Sequence, residues 1–86
     1  MNFQLDITIN KTHNNIPHWV NYIAIDFNGG IHGYENEPFP ARDLIWVVDN
    51  GRQVNLSYVD LYSKYWLGSV EVNNWTETLI GLNESD

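Results

Sequence analysis

Asn28-Gly29, set between two apolar-alternating runs in WVNYIAIDFNGGIHGYENEP (Trp19 to Pro38), constrains this chain more than any other feature. Asn-Gly suits a two-residue type I′ turn, whose central residues both need positive φ, and such a turn joins antiparallel strands. Closing the chain there predicts Phe27 opposite Gly30, Ile25 opposite His32, Ile23 opposite Tyr34 and Tyr22 opposite Glu35. Side chains alternate along a strand, so Ile23, Ile25 and Tyr34 would share one face, with Tyr22, Ala24, Asp26, Ile31 and Glu35 on the other.

A second Asn-Gly pair at Asn50-Gly51 follows the apolar run Leu44 to Val48, and a hairpin there would place Asp49 opposite Arg52, Val47 opposite Val54 and Ile45 opposite Leu56. Phe3, Leu5, Ile7 and Ile9 alternate with polar residues, the period of a half-exposed first strand. Polar loops are expected from Asn10 to Pro17 and from Asn36 to Asp43, where Pro38 and Pro40 bar a central strand and Phe39 would pin the loop to the core. From Ser57 to Trp66 the apolar spacing turns helical, although so tyrosine-rich a segment also suits a strand. Val70 and Val72 suggest another short strand. Trp75 to Ile80 reads as a final strand or helical turn with Trp75, Leu79 and Ile80 inward, before a frayed tail from Asn83. The expected fold is mainly β, with α+β as its variant: one compact domain over residues 1–86, built on two Asn-Gly hairpins with a short C-terminal helix.

A chain of 86 residues buries only about 60% of its unfolded surface, so the core must be efficient. Four Trp, five Tyr and three Phe provide that, each burying roughly 150–250 Å². There are no cysteines, which rules out disulfides and thiolate metal sites and fits a reducing compartment. No segment approaches the ~20 apolar residues of a membrane span, and MNFQLDITINKTHNN lacks the pattern of a secretion signal. A cytoplasmic protein is expected. The Asn-x-Ser/Thr sequons at Asn10, Asn55, Asn74 and Asn83 are then incidental in so Asn-rich a chain.

The formal charge of −7 repels phosphates, which argues against direct nucleic-acid binding. Asp26, Asn28, Gly30, His32, Tyr34 and Glu37 match the ligand spacing of a calcium loop, but Ile31 stands where the loop needs glycine. Nothing in the spacing of His13, His18 and His32 gathers them around a metal. Neither a cofactor nor a metal is expected. Glu35, Glu37 and Asp43 are a carboxylate cluster of the kind hydrolases use, but so small a domain seldom encloses a substrate pocket of ~300 Å³. No nucleophile elbow, phosphate loop or reactive thiol is present, and the chain is expected not to be an enzyme.

Trp19, Tyr22, Ala24, Asp26, Gly29, Tyr34, Glu35 and Pro38 form a W-x-x-Y-x-A-x-D-x-x-G-x-x-x-x-Y-E-x-x-P pattern. It resembles a motif in short uncharacterised proteins of bacteriophages and prophages. The ending Tyr65-Trp66-Leu67-Gly68, then Trp75 to Ile80, is similar to the one that accompanies that motif, although Gly81-Leu82 replaces its basic residue and proline. The resemblance covers under half of the chain. It implies a phage accessory role and carries no catalytic residue.

A partner surface is therefore expected around Asp26, Glu35, Glu37 and Asp43, flanked by Tyr22 and Phe39. It would dock on a basic nucleic-acid-binding groove of a host protein. Only 17% of residues are charged, below the ~25% usual in globular proteins, so aromatic anchors must contribute beside the acids. An anti-CRISPR or anti-restriction inhibitor fits this description. The alternative is a structural or assembly protein of the phage that self-associates.

Overall fold

A computed structural model describes residues 4–58 and 72–84. It is mainly β. The strands are β1 (Gln4–Ile9), β2 (Tyr22–Ile25), β3 (Ile31–Tyr34), β4 (Phe39–Pro40), β5 (Trp46–Val47), β6 (Gln53–Asn55) and β7 (Leu79–Glu84), with a 3-10 helix over Val72–Glu77. Five strands form a sheet in the order β1-β7-β2-β3-β6, and β4 and β5 form a separate two-stranded ribbon. β7 runs parallel to β1 and antiparallel to β2. The segment 59–66, over which helix and strand compete in the sequence, and Val70 lie outside the described residues.

The centre of the sheet is buried on both faces. Ile23 and Ile25 of β2, Ile31 of β3, Ile80 and Leu82 of β7 and Ile9 of β1 point to one side, where Ile16, Val20 and Leu56 cover them. Ala24 and Tyr34 point to the other side with Leu79, under Trp46 from the ribbon and Trp75 from the 3-10 helix. Those two indoles meet edge to face, centroids 6.1 Å apart at 88°, a geometry favoured by the ring quadrupoles. Trp75, Leu79 and Ile80 are buried as their sequence pattern anticipates.

Thr78 continues the β2–β7 register opposite Ile25, two positions beyond the Ile23–Ile80 pair. Its buried hydroxyl accepts the Ile25 N–H at 3.0 Å and lies within donating reach of the carbonyls of Trp75 (2.6 Å) and Ile25 (3.0 Å). A side chain thus satisfies backbone groups that the strands leave open.

The first hairpin is displaced by one residue from the expected register: Tyr22 faces Tyr34, Ile23 faces Gly33, Ala24 faces His32 and Ile25 faces Ile31. The turn is not type I′. Gly29 N–H donates to the Asp26 carbonyl and Asp26 N–H to the Gly30 carbonyl, both at 2.9 Å. Gly29 has φ +88°, while Asn28 is not in the positive region. This is a type I turn closed by a left-handed glycine, which needs one more loop residue than I′. The slip moves Tyr34 away from Ile23 and Ile25 to the opposite face.

Asn50-Gly51 closes no hairpin. β5 pairs with β4, with Phe39 opposite Val47 and Pro40 opposite Trp46, whereas β6 pairs with β3 through Asn55–His32, Val54–Gly33 and Gln53–Tyr34. Arg52 consequently faces Glu35 rather than Asp49, with its Nη2 2.9 Å from Glu35 Oε2 and its guanidinium stacked 4.7 Å over the Trp19 ring. Three smaller expectations also change. Val72 opens the 3-10 helix instead of a strand, Asn83 and Glu84 complete β7 instead of fraying, and Phe39 is 45% exposed while Pro38 is buried.

Candidate interaction surface

The structure separates the acids that the sequence groups together. Asp26 is 6% exposed and structural: its Oδ1 accepts the Trp46 backbone N–H at 2.8 Å, tying the first hairpin to the ribbon. Its Oδ2 lies 3.5 Å from the buried Nδ1 of His32. Glu35 is committed to Arg52, whose side-chain and backbone N–H groups hold its carboxyl below the usual carboxylate range. Tyr22 is half-buried against the Trp46–Trp75 cluster. It borders a small cleft of about 130 Å³ with Asp6, Asn21 and Asn83. Glu37, Asp43 and Phe39 are left exposed.

Those three residues lie on or beside the β4–β5 ribbon. In the ribbon, Trp46 turns inward, so Phe39 and Val47, with Ala41 and Ile45 bonded next along the strands, share the outward face. Phe39 and Ile45 are exposed on it. Glu37 precedes β4 and Asp43 lies in the Arg42-Asp43-Leu44 turn, so the apolar face has one acid at each end. Neither acid has an ion-pair partner among the described residues.

The turn itself holds a constrained residue. Leu44 has φ +64°, a conformation that costs a branched L-residue roughly 1–2 kcal/mol. Two hydrogen bonds hold it: Leu44 N–H to the Ala41 carbonyl at 3.2 Å and Phe27 N–H to the Leu44 carbonyl at 3.0 Å. The second brings the tip of the first hairpin alongside the ribbon, and Phe27 and Leu44 add two more exposed apolar side chains, 42% and 46% accessible. Sequence reasoning missed Phe27, Leu44 and Ile45. An apolar residue directly before an Asn-Gly tip is the signal that would have pointed to the first of them.

The histidines lie apart. His18 hydrogen-bonds the Thr12 hydroxyl and pairs with Glu84, fastening the 10–18 loop to the end of β7. The same loop buries Lys11, 3% exposed, whose ammonium donates to the His18 carbonyl at 3.0 Å. His32 faces Asp26, and the His13 backbone N–H donates to Asn10 Oδ1. The calcium-loop spacing is absorbed by the β2–β3 hairpin. No group of three or more metal-binding side chains forms among the described residues. No helix among them is long and apolar enough to cross a membrane.

Tyr34 gives the buried side of the site a pH signature. Burial, with the Asp26 charge adding to it, pushes the phenol from 10 up to about 12. A group whose folded pKa is raised contributes stability that is complete below pH 10 and lost as pH climbs through 12. We therefore expect an alkaline unfolding limb over that interval, reduced in Tyr34→Phe. An ultraviolet phenolate titration checks the assignment, because the step near pH 12 should be absent from Tyr34→Phe.

No family model matches the chain, and no curated protein or solved structure is significantly similar to it.

Proposed function

We propose that this chain is a non-enzymatic phage accessory protein acting in the host cytoplasm. Its ribbon occupies a basic, nucleic-acid-binding surface of a host defence protein, in the manner of an anti-CRISPR or anti-restriction inhibitor. The observation that carries this reading is the outward face of β4–β5, where Phe39 and Ile45 stay exposed between Glu37 and Asp43. An apolar centre with a charged rim is the usual anatomy of a protein interface. The partner is basic because the chain is not: a net charge of −7 steers it toward a positive groove and away from nucleic acid itself. The phage context rests on the Trp19-to-Pro38 resemblance.

The test is competitive capture from bacterial lysate. The bound host protein should be released by duplex DNA, since both ligands would share one groove. Glu37→Lys with Asp43→Lys should weaken the complex at least about tenfold and flatten its salt dependence, because rim charges act mainly through steering. Phe39→Ala should cost roughly 1–2 kcal/mol of affinity as the apolar anchor. Thermal unfolding of both variants should stay close to the parent, since exposed side chains contribute little to stability. A partner that binds DNA and this protein together would sink the groove reading, and self-association abolished by Phe39→Ala would favour the assembly role.

A further inference from the structure

We infer that Asn50 is a self-modification site, converting through a cyclic imide to aspartate and isoaspartate faster than the other Asn-Gly pair of the described residues. Both pairs have the glycine that leaves the following backbone nitrogen sterically free. They differ in what that nitrogen is doing.

At the first pair the Gly29 N–H donates to the Asp26 carbonyl at 2.9 Å, and the loop is sealed below by Asp26 N–H to the Gly30 carbonyl. Asn28 Oδ1 is held forward, accepting the Gly30 N–H at 2.8 Å. Attack by this nitrogen requires the turn to open. At the second pair the Gly51 N–H has no hydrogen bond within the described residues, and Asn50 and Gly51 are exposed. The Asn36 side-chain amide donates to Asn50 Oδ1 at 2.7 Å and also reaches the Asn50 backbone carbonyl at 3.2 Å. One donor thus holds the two carbonyls that the imide ring will contain and polarises the one under attack.

Solvent hydroxide removes the Gly51 amide proton, and the nitrogen adds to Cγ of Asn50, placing negative charge on the oxygen that Asn36 stabilises. The N–Cγ bond forms, the Cγ–Nδ2 bond breaks, and Nδ2 leaves as ammonia with a proton from water. Water then opens the imide at either carbonyl, giving an aspartyl or a β-linked isoaspartyl residue. No electrons are transferred. The product carries one additional carboxylate beside Asn36 and Glu35, which the Gly51 backbone also approaches.

The intact folded protein, incubated at mildly alkaline pH and analysed by peptide mapping, should accumulate product at Asn50 at least about tenfold faster than at Asn28, the ratio expected if Asn28 reacts only through local opening. In urea the two rates should converge. Asn36→Ala should slow Asn50 severalfold while circular dichroism shows the fold intact. A folded-state ratio below tenfold would overturn the inference, as would a ratio that persists in urea, since sequence alone would then set it. An unchanged or faster rate in Asn36→Ala would remove the role assigned to Asn36.

Discussion

Replacing Trp46 by Ala should cost about 3–5 kcal/mol, a large share of the roughly 4–13 kcal/mol that a chain of 86 residues usually possesses. The size of the loss follows from how many elements this residue joins. Its backbone N–H goes to Asp26, its indole N–H lies 3.0 Å from the Ile25 carbonyl and 3.2 Å from that of Trp75, and its own carbonyl accepts the Tyr34 hydroxyl at 3.4 Å. The backbone bonds, including Phe27 N–H to the Leu44 carbonyl, survive truncation in principle, but the indole is the ribbon's largest buried anchor. Trp46→Phe separates the contributions, keeping part of the ring packing while leaving the Ile25 and Trp75 carbonyls without the indole donor, and should cost about 1–3 kcal/mol. Urea midpoints provide the comparison. A Trp46→Ala protein as stable as the parent would show that the ribbon is not anchored through this side chain.

Gly33→Ala should destabilise by about 1–3 kcal/mol although it adds a single methyl group. A Cβ at this position would lie 2.7 Å from Leu56 Cδ1 and 2.8 Å from Val20 Cγ1. Both neighbours are fully buried, and a β-branched valine has few rotamers by which to withdraw. The glycine here serves close packing between the sheet and the loop that covers it. Val20→Ala in the same chain should recover part of the loss, a negative coupling that a double-mutant cycle measures directly. Additive losses would mean that the strain lies elsewhere.

Which residues are buried was largely legible in the sequence, but the register of a strand buried on both faces was not. Ile7 and Ile9 alternate with Asp6 and Thr8, which are exposed on the other face of β1, and Trp75, Leu79 and Ile80 announce their burial by size. In β2, by contrast, Ile23, Ala24 and Ile25 are all buried. Alternation then has no polar phase against which to set the register, and Asn-Gly serves both a two-residue and a three-residue loop. Leu44 to Val48 misled in a similar way: a fully apolar run named no partner strand, and its true partner, β4, contains Pro40 and directly follows Pro38. For the interaction surface, exposure of Glu37 and Asp43 could be read from composition, but the burial of Asp26 could not. Its carboxylate is held inside by the Trp46 N–H from a distant element.

The place of β7, between β1 and β2, sets the order in which the molecule can be assembled. A nascent chain that has passed residue 58 already contains six of the seven strands found among the described residues, yet β1 and the β2-β3-β6 group are still unjoined, and the seam between them is filled when residues 79–84 arrive. Until then Ile23 and Ile9 border an open gap, the kind of unpaired apolar edge that recruits chaperones or other chains. Closure depends on contacts between distant parts of the sequence, which slows folding. Formation of the complete sheet is therefore governed by the fate of chains still waiting for β7, and a nonsense mutation just ahead of residue 79 would be as damaging as one near residue 1.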